Sequence, residues 1–275
     1  MTSSTTRTEI LRLAAFSDDP AGGNPAGVVL DASGLSDEEM QRIAADVGFS
    51  ETAFLTRSGD AYDVRYFSPE AEVAFCGHAT IASGVALGDG DHLLHTRSGD
   101  VPLRVRDGLA TLTSVTPVVR ELSDGDLDEA LALLRWSRAD LDPALPPRIA
   151  YAGAHHLILA AATRERLADL DYDFAGLKAY MLERDLTTVD LVWRESELRF
   201  HARNPFPVGG VVEDPATGAA AASFGAYLRE LGAITPPARV TVIQGVDMGR
   251  PSRIEVDVPA DRPEISVSGT AVVLT

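Results

Sequence analysis

Hydrophobic positions along this chain recur mostly at every second residue, which is the spacing of β-strands with one buried face. Residues 62–67, YDVRYF, alternate in this way, and the Gly-Asp pair at 99–100 and the Asp-Gly pair at 107–108 are typical of hairpin turns. The pattern predicts strands near residues 10–16, 28–30, 62–67, 93–97, 101–106, 109–115, 149–152, 155–161, 188–193, 197–203, 240–244, 253–258 and 264–274.

Helical spacing is confined to a few shorter stretches. Ser36 precedes Glu39 by three residues, which is the spacing of a capping box, and Gly48 is placed to end the helix that Ser36 begins. Further helices are predicted near residues 125–135, 164–170 and 174–184. Because hairpins are frequent and strands do not alternate regularly with helices, we predict an α+β fold with mainly antiparallel sheets.

Residues 208–228, VGGVVEDPATGAAAASFGAYL, predict a strand, a tight turn and a helix whose first turn has almost no side chains. The first N–H groups of a helix have no partner within it and carry positive potential, so a bare helix start can seat a carboxylate or phosphate. Asp214, beside that seat, is a candidate for proton chemistry. Alternatively, Asp214 is an ordinary N-terminal cap of the helix.

A second stretch, residues 68–87, has the same form: SPEAEVAFCGHATIASGVAL. Aligning Cys76 with Asp214 gives a weak internal repeat, and two such halves facing each other would form a cleft between two similar domains. His78, two residues after Cys76, is either a helix cap or surface imidazole, or else a proton carrier or a hydrogen-bond donor to the substrate.

Glu51 lies in the alternating segment FSETAFLTR, on the same side as Phe49, Ala53 and Leu55 if the segment is a strand. Two interpretations are open for this carboxyl group. It lies in water at a strand end, or it is partly buried, where desolvation would suit it to act as a general acid or base.

Composition excludes several classes of function. The chain has 275 residues, 45% of them hydrophobic, which is enough for a substantial core, and its formal charge of -17 argues against nucleic acid and anionic membranes as partners. The single cysteine excludes an internal disulfide and suits a reducing compartment. Residues 1–8 are polar and predicted to fray. Since no apolar leader or spanning segment is present, we expect a cytoplasmic protein.

No cofactor or metal is predicted. The chain has no glycine-rich dinucleotide or nucleotide loop and no H-E-x-x-H motif. Its only lysine, Lys178, lies in a helical stretch without a phosphate loop, which gives no support to pyridoxal phosphate. His155 and His156 are adjacent in a predicted strand and face opposite ways, so we interpret them as residues at a loop edge rather than as zinc ligands.

Five motifs carry a family resemblance: GNPAGVV (23–29), GFSETAFL (48–55), FCGHAT (75–80), GGVVEDPATGAAAA (209–222) and QGVDMGRPS (244–252). In this order and spacing the chain resembles the phenazine-biosynthesis PhzF-like family, which is similar in fold to diaminopimelate epimerase. The resemblance implies two pseudo-symmetric domains, each a mainly antiparallel sheet wrapped around a central helix, with the active site in the cleft between them.

We place the predicted domains at residues 1–118 and 119–275. The boundary follows a possible break near Pro117. The Pro-rich piece at 141–148, LDPALPPR, is the best linker candidate by composition, and it remains the alternative position for the break. Both domains would expose sheet edges, which proteins usually cover by forming a homodimer. The family also tends to be dimeric, so we expect a homodimer.

The resemblance also implies cofactor-free isomerase chemistry. The glutamate of the family's S-E-T motif moves the proton, and here that residue is Glu51. The other implied catalytic residues are His78 and Asp214, which would tune the acidity of Glu51. The implied substrate-binding residues are Ser50, Gly77, Thr217, Gly218 and Ala219.

Two departures qualify this assignment. The epimerase relatives use two cysteines as opposed bases, whereas Cys76 is the only cysteine here, so a two-thiol racemase is excluded. Ala219 stands where many family members have serine, so a hydroxyl that could bind substrate is absent.

The leading hypothesis is therefore a cofactor-independent isomerase acting on a small amino-acid-like carboxylate. A non-catalytic small-molecule carboxylate-binding protein with the same fold is the alternative, and the presence of all three polar candidates argues against it. A hotdog-type thioester hydrolase has no support from a coenzyme A site.

Overall fold

The computed structural model describes residues 8–275, so the predicted fraying of residues 1–8 falls almost entirely outside the described residues. The chain divides into two compact units. The first contains the described residues up to Leu112 together with Gly269–Thr275, and the second is Thr113–Ser268. The division predicted at residues 118 and 119 assigned the last strand to the second domain, whereas that strand pairs with the first strand of the chain.

The elements of the first unit, in chain order, are β1 (Leu11–Ala15), β2 (Asn24–Val29), α1 (Asp37–Val47), β3 (Glu51–Ser58), β4 (Ala61–Phe67), β5 (Glu72–Val73), α2 (Gly77–Leu87), β6 (Gly90–Thr96), β7 (Gly99–Arg106) and β8 (Leu109–Thr113). Those of the second are β9 (Val118–Glu121), α3 (Asp124–Leu133), β10 (Arg148–Tyr151), β11 (His155–Ala160), α4 (Arg164–Ala168), α5 (Phe174–Glu183), β12 (Thr188–Ser196), β13 (Arg199–Pro205), β14 (Glu213–Asp214), α6 (Gly218–Glu230), β15 (Ala238–Gln244), β16 (Ser252–Val258) and β17 (Ser266–Gly269). The C-terminal strand β18 (Ala271–Val273) returns to the first unit.

The first unit is a mainly antiparallel sheet in the order β18, β1, β2, β3, β4, β6, β7, β8, in which β2–β3 and β4–β6 are parallel pairs. Short β5 pairs with the end of β4. Helix α2 packs against β1, β2, β3 and β7, and its residues from His78 to Gly84 are all buried. A helix that is apolar on every side is the expected result of wrapping a sheet around it.

The second unit repeats this arrangement. Its sheet runs β9, β10, β11, β12, β13, β15, β16, β17, with parallel pairs at β11–β12 and β13–β15, and β14 pairs with the end of β13. Helix α6 is buried from Ala220 to Leu228 and packs on β9, β10, β11 and β16. The predicted α+β class, with each sheet wrapped around a central helix, is confirmed.

Close contact between each central helix and its sheet explains why small residues fill both helices. A Cβ atom on Gly84 of α2 would lie 2.8 Å from Leu103, and one on Gly225 of α6 would lie 2.7 Å from Val256. Each glycine is the eighth residue of its helix, and each contacted residue lies on the strand at the seventh position across its sheet, β7 in the first unit and β16 in the second. The two contacts are equivalent, so they show which residues of the two units correspond.

The helix predicted after Ser36 is confirmed in detail. Ser36 is the N-cap of α1, its side chain accepts from the N–H of Glu39, and the Glu39 side chain accepts from the N–H of Ser36. Gly48 ends the helix with a φ of 72°, the left-handed conformation that favours glycine. Met40 and Ala44 pack with the hydrophobic residues around Phe54.

The Pro-rich linker candidate at 141–148 is wrong. Leu145 is fully buried, and the hydroxyl of Tyr227 donates to the carbonyl oxygen of Pro146 at 2.9 Å. This piece is therefore packed onto α6 within the second unit and does not separate domains. Among the described residues, no helix is both long enough and apolar enough to cross a membrane.

Candidate active site

Three reactive side chains of the first unit meet where β3 and α2 begin. Cys76 Sγ lies 3.5 Å from Glu51 Oε2 and 3.4 Å from His78 Nδ1. His78 Nε2 lies 3.5 Å from the same Glu51 oxygen and 3.3 Å from Ser50 Oγ. We call Ser50, Glu51, Cys76 and His78 the Glu51 cluster.

Burial decides between the alternatives for Glu51 and His78. The side chain of Glu51 is 18% exposed, so it is partly buried instead of standing in water. His78 is the second residue of α2 and is 7% exposed, whereas Cys76 occupies the N-cap position without a side-chain cap bond. His78 is therefore neither a helix cap nor a surface imidazole. A carboxyl group beside an imidazole and a thiol, away from bulk water, is suited to proton transfer.

The predicted residues of the second unit meet at the start of α6. The Thr217 hydroxyl donates to Asp214 Oδ2 at 2.6 Å, and Thr217 itself occupies the N-cap position. Asp214 lies in β14, so the alternative that it caps the helix is wrong. The N–H groups of Gly218, Ala219 and Ala220 have no partner within the helix, as at any helix start. We call residues 214–218 the Asp214 turn.

Gln244, at the end of β15, is the residue that holds this turn together. Its Oε1 accepts from the Thr217 backbone N–H at 3.1 Å, and its Nε2 donates to the Asp214 carbonyl oxygen at 2.7 Å and to Thr217 Oγ1 at 3.0 Å. The chain after it is equally constrained, since a Cβ atom on Gly245 would lie 2.8 Å from the Pro215 carbonyl oxygen. Sequence reasoning quoted Gln244 only within a family motif and gave it no role.

We expect Gln244→Ala to lower the free energy of unfolding by about 2 kcal/mol, because it leaves the Thr217 N–H and the Asp214 carbonyl without their partner. Urea denaturation followed by circular dichroism measures the change. The matched control is Gln41→Ala, which removes one bond, from Gln41 Nε2 to the Ser68 carbonyl oxygen. A control effect as large as that of Gln244→Ala would contradict the structural role.

The internal repeat predicted from sequence is real but was aligned incorrectly. β5 and β14 each begin five residues before the start of their helix, at Glu72 and Glu213. Cys76 therefore corresponds to Thr217, and Asp214 corresponds to Val73. Matching by reactive residue type displaced the alignment by three positions. The polar residues of the two units lie at different distances from the start of the central helix.

The corrected alignment reveals an equivalent ion pair in each unit. Arg65 of β4 donates to both carboxylate oxygens of Glu72, at 2.8 and 2.7 Å. Arg203 of β13 donates to both oxygens of Glu213, at 2.9 and 2.5 Å. Bidentate arginine–carboxylate hydrogen bonds fix the relative orientation of the two side chains as well as their distance. Each pair therefore fastens the short strand that leads into the central helix, and with it the neighbouring candidate residues.

A buried polar chain lies behind Asp214. Asn204, whose backbone pairs in register with Asp214, donates from Nδ2 to Asp190 Oδ1 at 2.9 Å and accepts from the Thr188 hydroxyl at 2.6 Å. The Thr188 oxygen then accepts from His156 Nδ1 at 2.7 Å. Burial lowers the pKa of His156 to about 3, which keeps the ring neutral. The interpretation of His156 as a loop-edge residue is wrong, because it is fully buried in β11.

We expect Asp190 to make the stability of the protein depend on pH. Burial raises its pKa from 3.8 to about 7. Between these values the folded protein keeps a proton that the unfolded chain has released, so stability falls as pH rises through this window. Relative to Asp190→Asn, which has no charge to bury, we expect the wild type to lose about 2–3 kcal/mol between about pH 5 and about pH 8.

Urea denaturation of both proteins at the two pH values measures this difference. Asp261→Asn is the control, since Asp261 is exposed in the same unit and should leave the pH dependence unchanged. If the difference between wild type and Asp190→Asn stayed constant with pH, Asp190 would not be the titrating group.

The predicted site residues thus form two groups. Ser50, Glu51, Gly77 and His78 lie together in the first unit, and Asp214, Thr217, Gly218 and Ala219 lie together in the second. Their catalytic and substrate-binding roles stay predictions. Cys76 joins the first group through direct contacts with Glu51 and His78.

Comparison with known proteins supports the family assignment. The chain matches the family described as phenazine biosynthesis-like protein over residues 13–275. A Bacillus subtilis protein, uncharacterized isomerase YfhB, is 30% identical over 284 residues, covering 96% of each chain. The trans-2,3-dihydro-3-hydroxyanthranilate isomerase of Pseudomonas chlororaphis is 31% identical over 271 residues, covering 94% of each chain.

A solved structure gives the same result for the fold. A Bacillus anthracis phenazine biosynthesis protein of the PhzF family superposes with a TM-score of 0.86 at 27% identity, covering 97% of this chain and 96% of that one. The family match and both relatives extend over nearly the whole chain. The chain therefore belongs to the PhzF-like phenazine biosynthesis family.

Proposed function

We propose that the protein is a cofactor-independent isomerase that shifts a proton on a small amino-acid-like carboxylate. The observation that carries the proposal is the Glu51 cluster, in which a partly buried carboxyl group lies 3.5 Å from both an imidazole nitrogen and a thiol sulfur. Relatives with about one third of their residues in common are named isomerases, which supports the reaction class.

In the proposed reaction Glu51 removes a proton from a carbon of the substrate, and the electron pair left behind moves into the adjacent unsaturated system. Glu51 then returns the proton to another carbon, so the product is an isomer and no oxidant or reductant is consumed. Between the two transfers Glu51 is the protonated acid. His78 Nε2, beside the reacting Glu51 oxygen, stabilises the Glu51 carboxylate before the first transfer and after the second.

The Asp214 turn is the proposed seat of the substrate carboxylate. The N–H groups of Gly218 and Ala219 at the start of α6 can donate to an anion, and these two residues themselves carry no side chain larger than a methyl group. The proposal retains the placement implied by the family resemblance, with the substrate in a cleft between the two domains. Thr217 and Gln244 then keep the turn in one shape as the ligand binds and leaves.

Hydrogen exchange from solvent tests the reaction class before the substrate is known. The wild type is incubated in D₂O with a panel of small carboxylates that carry an amino group, and deuterium incorporation is followed by NMR. We expect exchange at a carbon–hydrogen position of at least one compound class. Compounds that bind without any exchange would support the alternative, a carboxylate-binding protein with the same fold.

The expectation of a homodimer remains part of the proposal. Sedimentation equilibrium of the purified chain measures it directly, and a monomer at micromolar concentration would contradict it.

A further inference from the structure

The short helix α4 is joined through its last residue to the strand that enters the Asp214 turn. The carbonyl oxygen of Ala168 accepts from Arg203 Nη1 at 2.6 Å. The same guanidinium donates to both oxygens of Glu213, which directly precedes Asp214. The helix is itself fixed to the core of the second unit by Leu167, which is fully buried. This end of α4 therefore supports the turn from one side.

The first residue of α4 is joined to the loop that follows β15. Arg164 Nη2 donates to both carboxylate oxygens of Asp247 at 2.9 Å, and the two side chains are 25% and 20% exposed. Nη1 of the same guanidinium is buried and has no hydrogen-bond partner among residues 8–275, the part of the chain that the structure describes. Asp247 is therefore the group that offsets the charge of Arg164.

The loop that carries Asp247 lies directly against the Asp214 turn. Residues 246–248 form a single turn of 3₁₀ helix after Gly245, whose φ is 76°. A Cβ atom on Gly245 would lie 2.8 Å from the Pro215 carbonyl oxygen, so the backbones of loop and turn are in contact. A displacement of Asp247 would therefore reach the turn through this contact.

We propose that Arg164 is a positioning residue for the carboxylate seat. Through Asp247 it holds the loop after β15, and with it the Asp214 turn, in the shape that receives the anion. The N–H groups of Gly218 and Ala219 converge on an anion only while the turn keeps this shape. The identity of the bound group rests on the proposed function, whereas the hold of α4 on the turn does not.

The exposure of the Arg164–Asp247 pair separates this role from a role in global stability. Ion pairs that reach solvent contribute little to the free energy of unfolding. Arg164→Met also removes the buried Nη1 donor that has no partner among the described residues. We therefore expect this variant to fold with a urea midpoint close to that of the wild type, and its defect to be confined to the turn.

Amide hydrogen exchange, followed by NMR on isotopically labelled protein, tests the contact without any ligand. The Thr217 N–H is bonded to Gln244 Oε1 at 3.1 Å, so its exchange reports on opening of the turn. We expect this amide to exchange at least about fivefold faster in Arg164→Met and in Asp247→Asn. Arg164→Lys should keep the wild-type rate, because the single nitrogen Nη2 makes both bonds to Asp247 and a lysine ammonium can take its place.

Titration of the same proteins with acetate measures the seat itself. In the wild type we expect acetate to shift the amide resonances of Gly218 and Ala219, and in Arg164→Met to do so with an affinity about three- to tenfold lower. Arg239→Met is the control. Arg239 donates to both oxygens of Asp257 at the opposite end of β15, so this variant should change neither the exchange nor the acetate affinity.

Unchanged exchange of the Thr217 amide in folded Arg164→Met and Asp247→Asn would overturn the proposal, as would a change of the same size in Arg239→Met. A folded Arg164→Lys protein as defective as Arg164→Met would show that the ion pair does not hold the loop. If acetate did not shift the amide resonances at the start of α6 in the wild type, the carboxylate seat of the proposed function would be overturned. Faster exchange in Arg164→Met would still support the hold of α4 on the turn.

Discussion

Glu213→Gln is expected to lower the free energy of unfolding by about 3–5 kcal/mol, because it leaves a buried positive charge without its partner. Arg203 and Glu213 are 8% and 9% exposed and are joined by two hydrogen bonds. An amide in place of the carboxylate removes the compensating charge and turns an N–H group toward one arm of the guanidinium. The third arm of Arg203 remains bonded to the Ala168 carbonyl oxygen, so the side chain cannot easily move to water.

Urea denaturation of the purified proteins measures this loss. Glu195→Gln is the matched control, because Glu195 pairs with Arg199 at 2.8 Å in the same unit while both side chains are 42% exposed. Exposed ion pairs contribute about 0–1 kcal/mol, so the control should be nearly as stable as the wild type. Equal losses in the two variants would contradict the assignment of a structural role to burial of the Arg203–Glu213 pair.

Glu51→Gln is expected to reduce turnover about 10²- to 10⁴-fold, the usual contribution of a positioned general base. Glutamine occupies the same volume and can still contact His78, so folding and substrate binding should be largely retained. The effect should therefore fall on kcat, with little change in KM. Steady-state kinetics on the compound that exchanges fastest in the deuterium panel measures both constants.

The control for this variant is Glu70→Gln, which makes the same chemical change at an exposed position of the same unit. It should leave kcat unaltered. A Glu51→Gln protein whose KM rises while kcat stays constant would show that Glu51 binds substrate without moving a proton.

Local signals in the sequence predicted local structure well. Ser36, Glu39 and Gly48 specify α1 through contacts within a few residues of each other, so the capping box and the glycine stop could be found without knowing the fold. The alternation of hydrophobic residues likewise located most of the strands, because it depends only on which face of each strand is buried. It missed β9 and the two-residue strands β5 and β14.

Side-chain contacts between different elements could not be predicted in the same way. The pair Arg203–Glu213 depends on how β13 and β14 align, and Gln244 reaches the Asp214 turn across 30 residues of chain. Nothing near these residues in sequence indicates their partners. The error in aligning the internal repeat has the same origin, since the equivalence of Cys76 and Thr217 is set by distance to the helix start and not by residue type.

The sequence identified most of the candidate site residues but not the contacts between them. Glu51, His78 and Asp214 were identified through motifs, and the structure adds the direct contacts of Cys76 with Glu51 and His78. Glu51 and Cys76 are 25 residues apart, and only the pairing of strands and the start of α2 bring them together.

The most direct test of the central claim, that Glu51 moves the proton, is deuterium incorporation from D₂O by the wild type and by Glu51→Gln at saturating ligand. We predict that the wild type labels the ligand at a carbon–hydrogen position and that the variant does so at least about 100-fold more slowly. Equal rates of incorporation by the two folded proteins would contradict the assignment of Glu51 as the base.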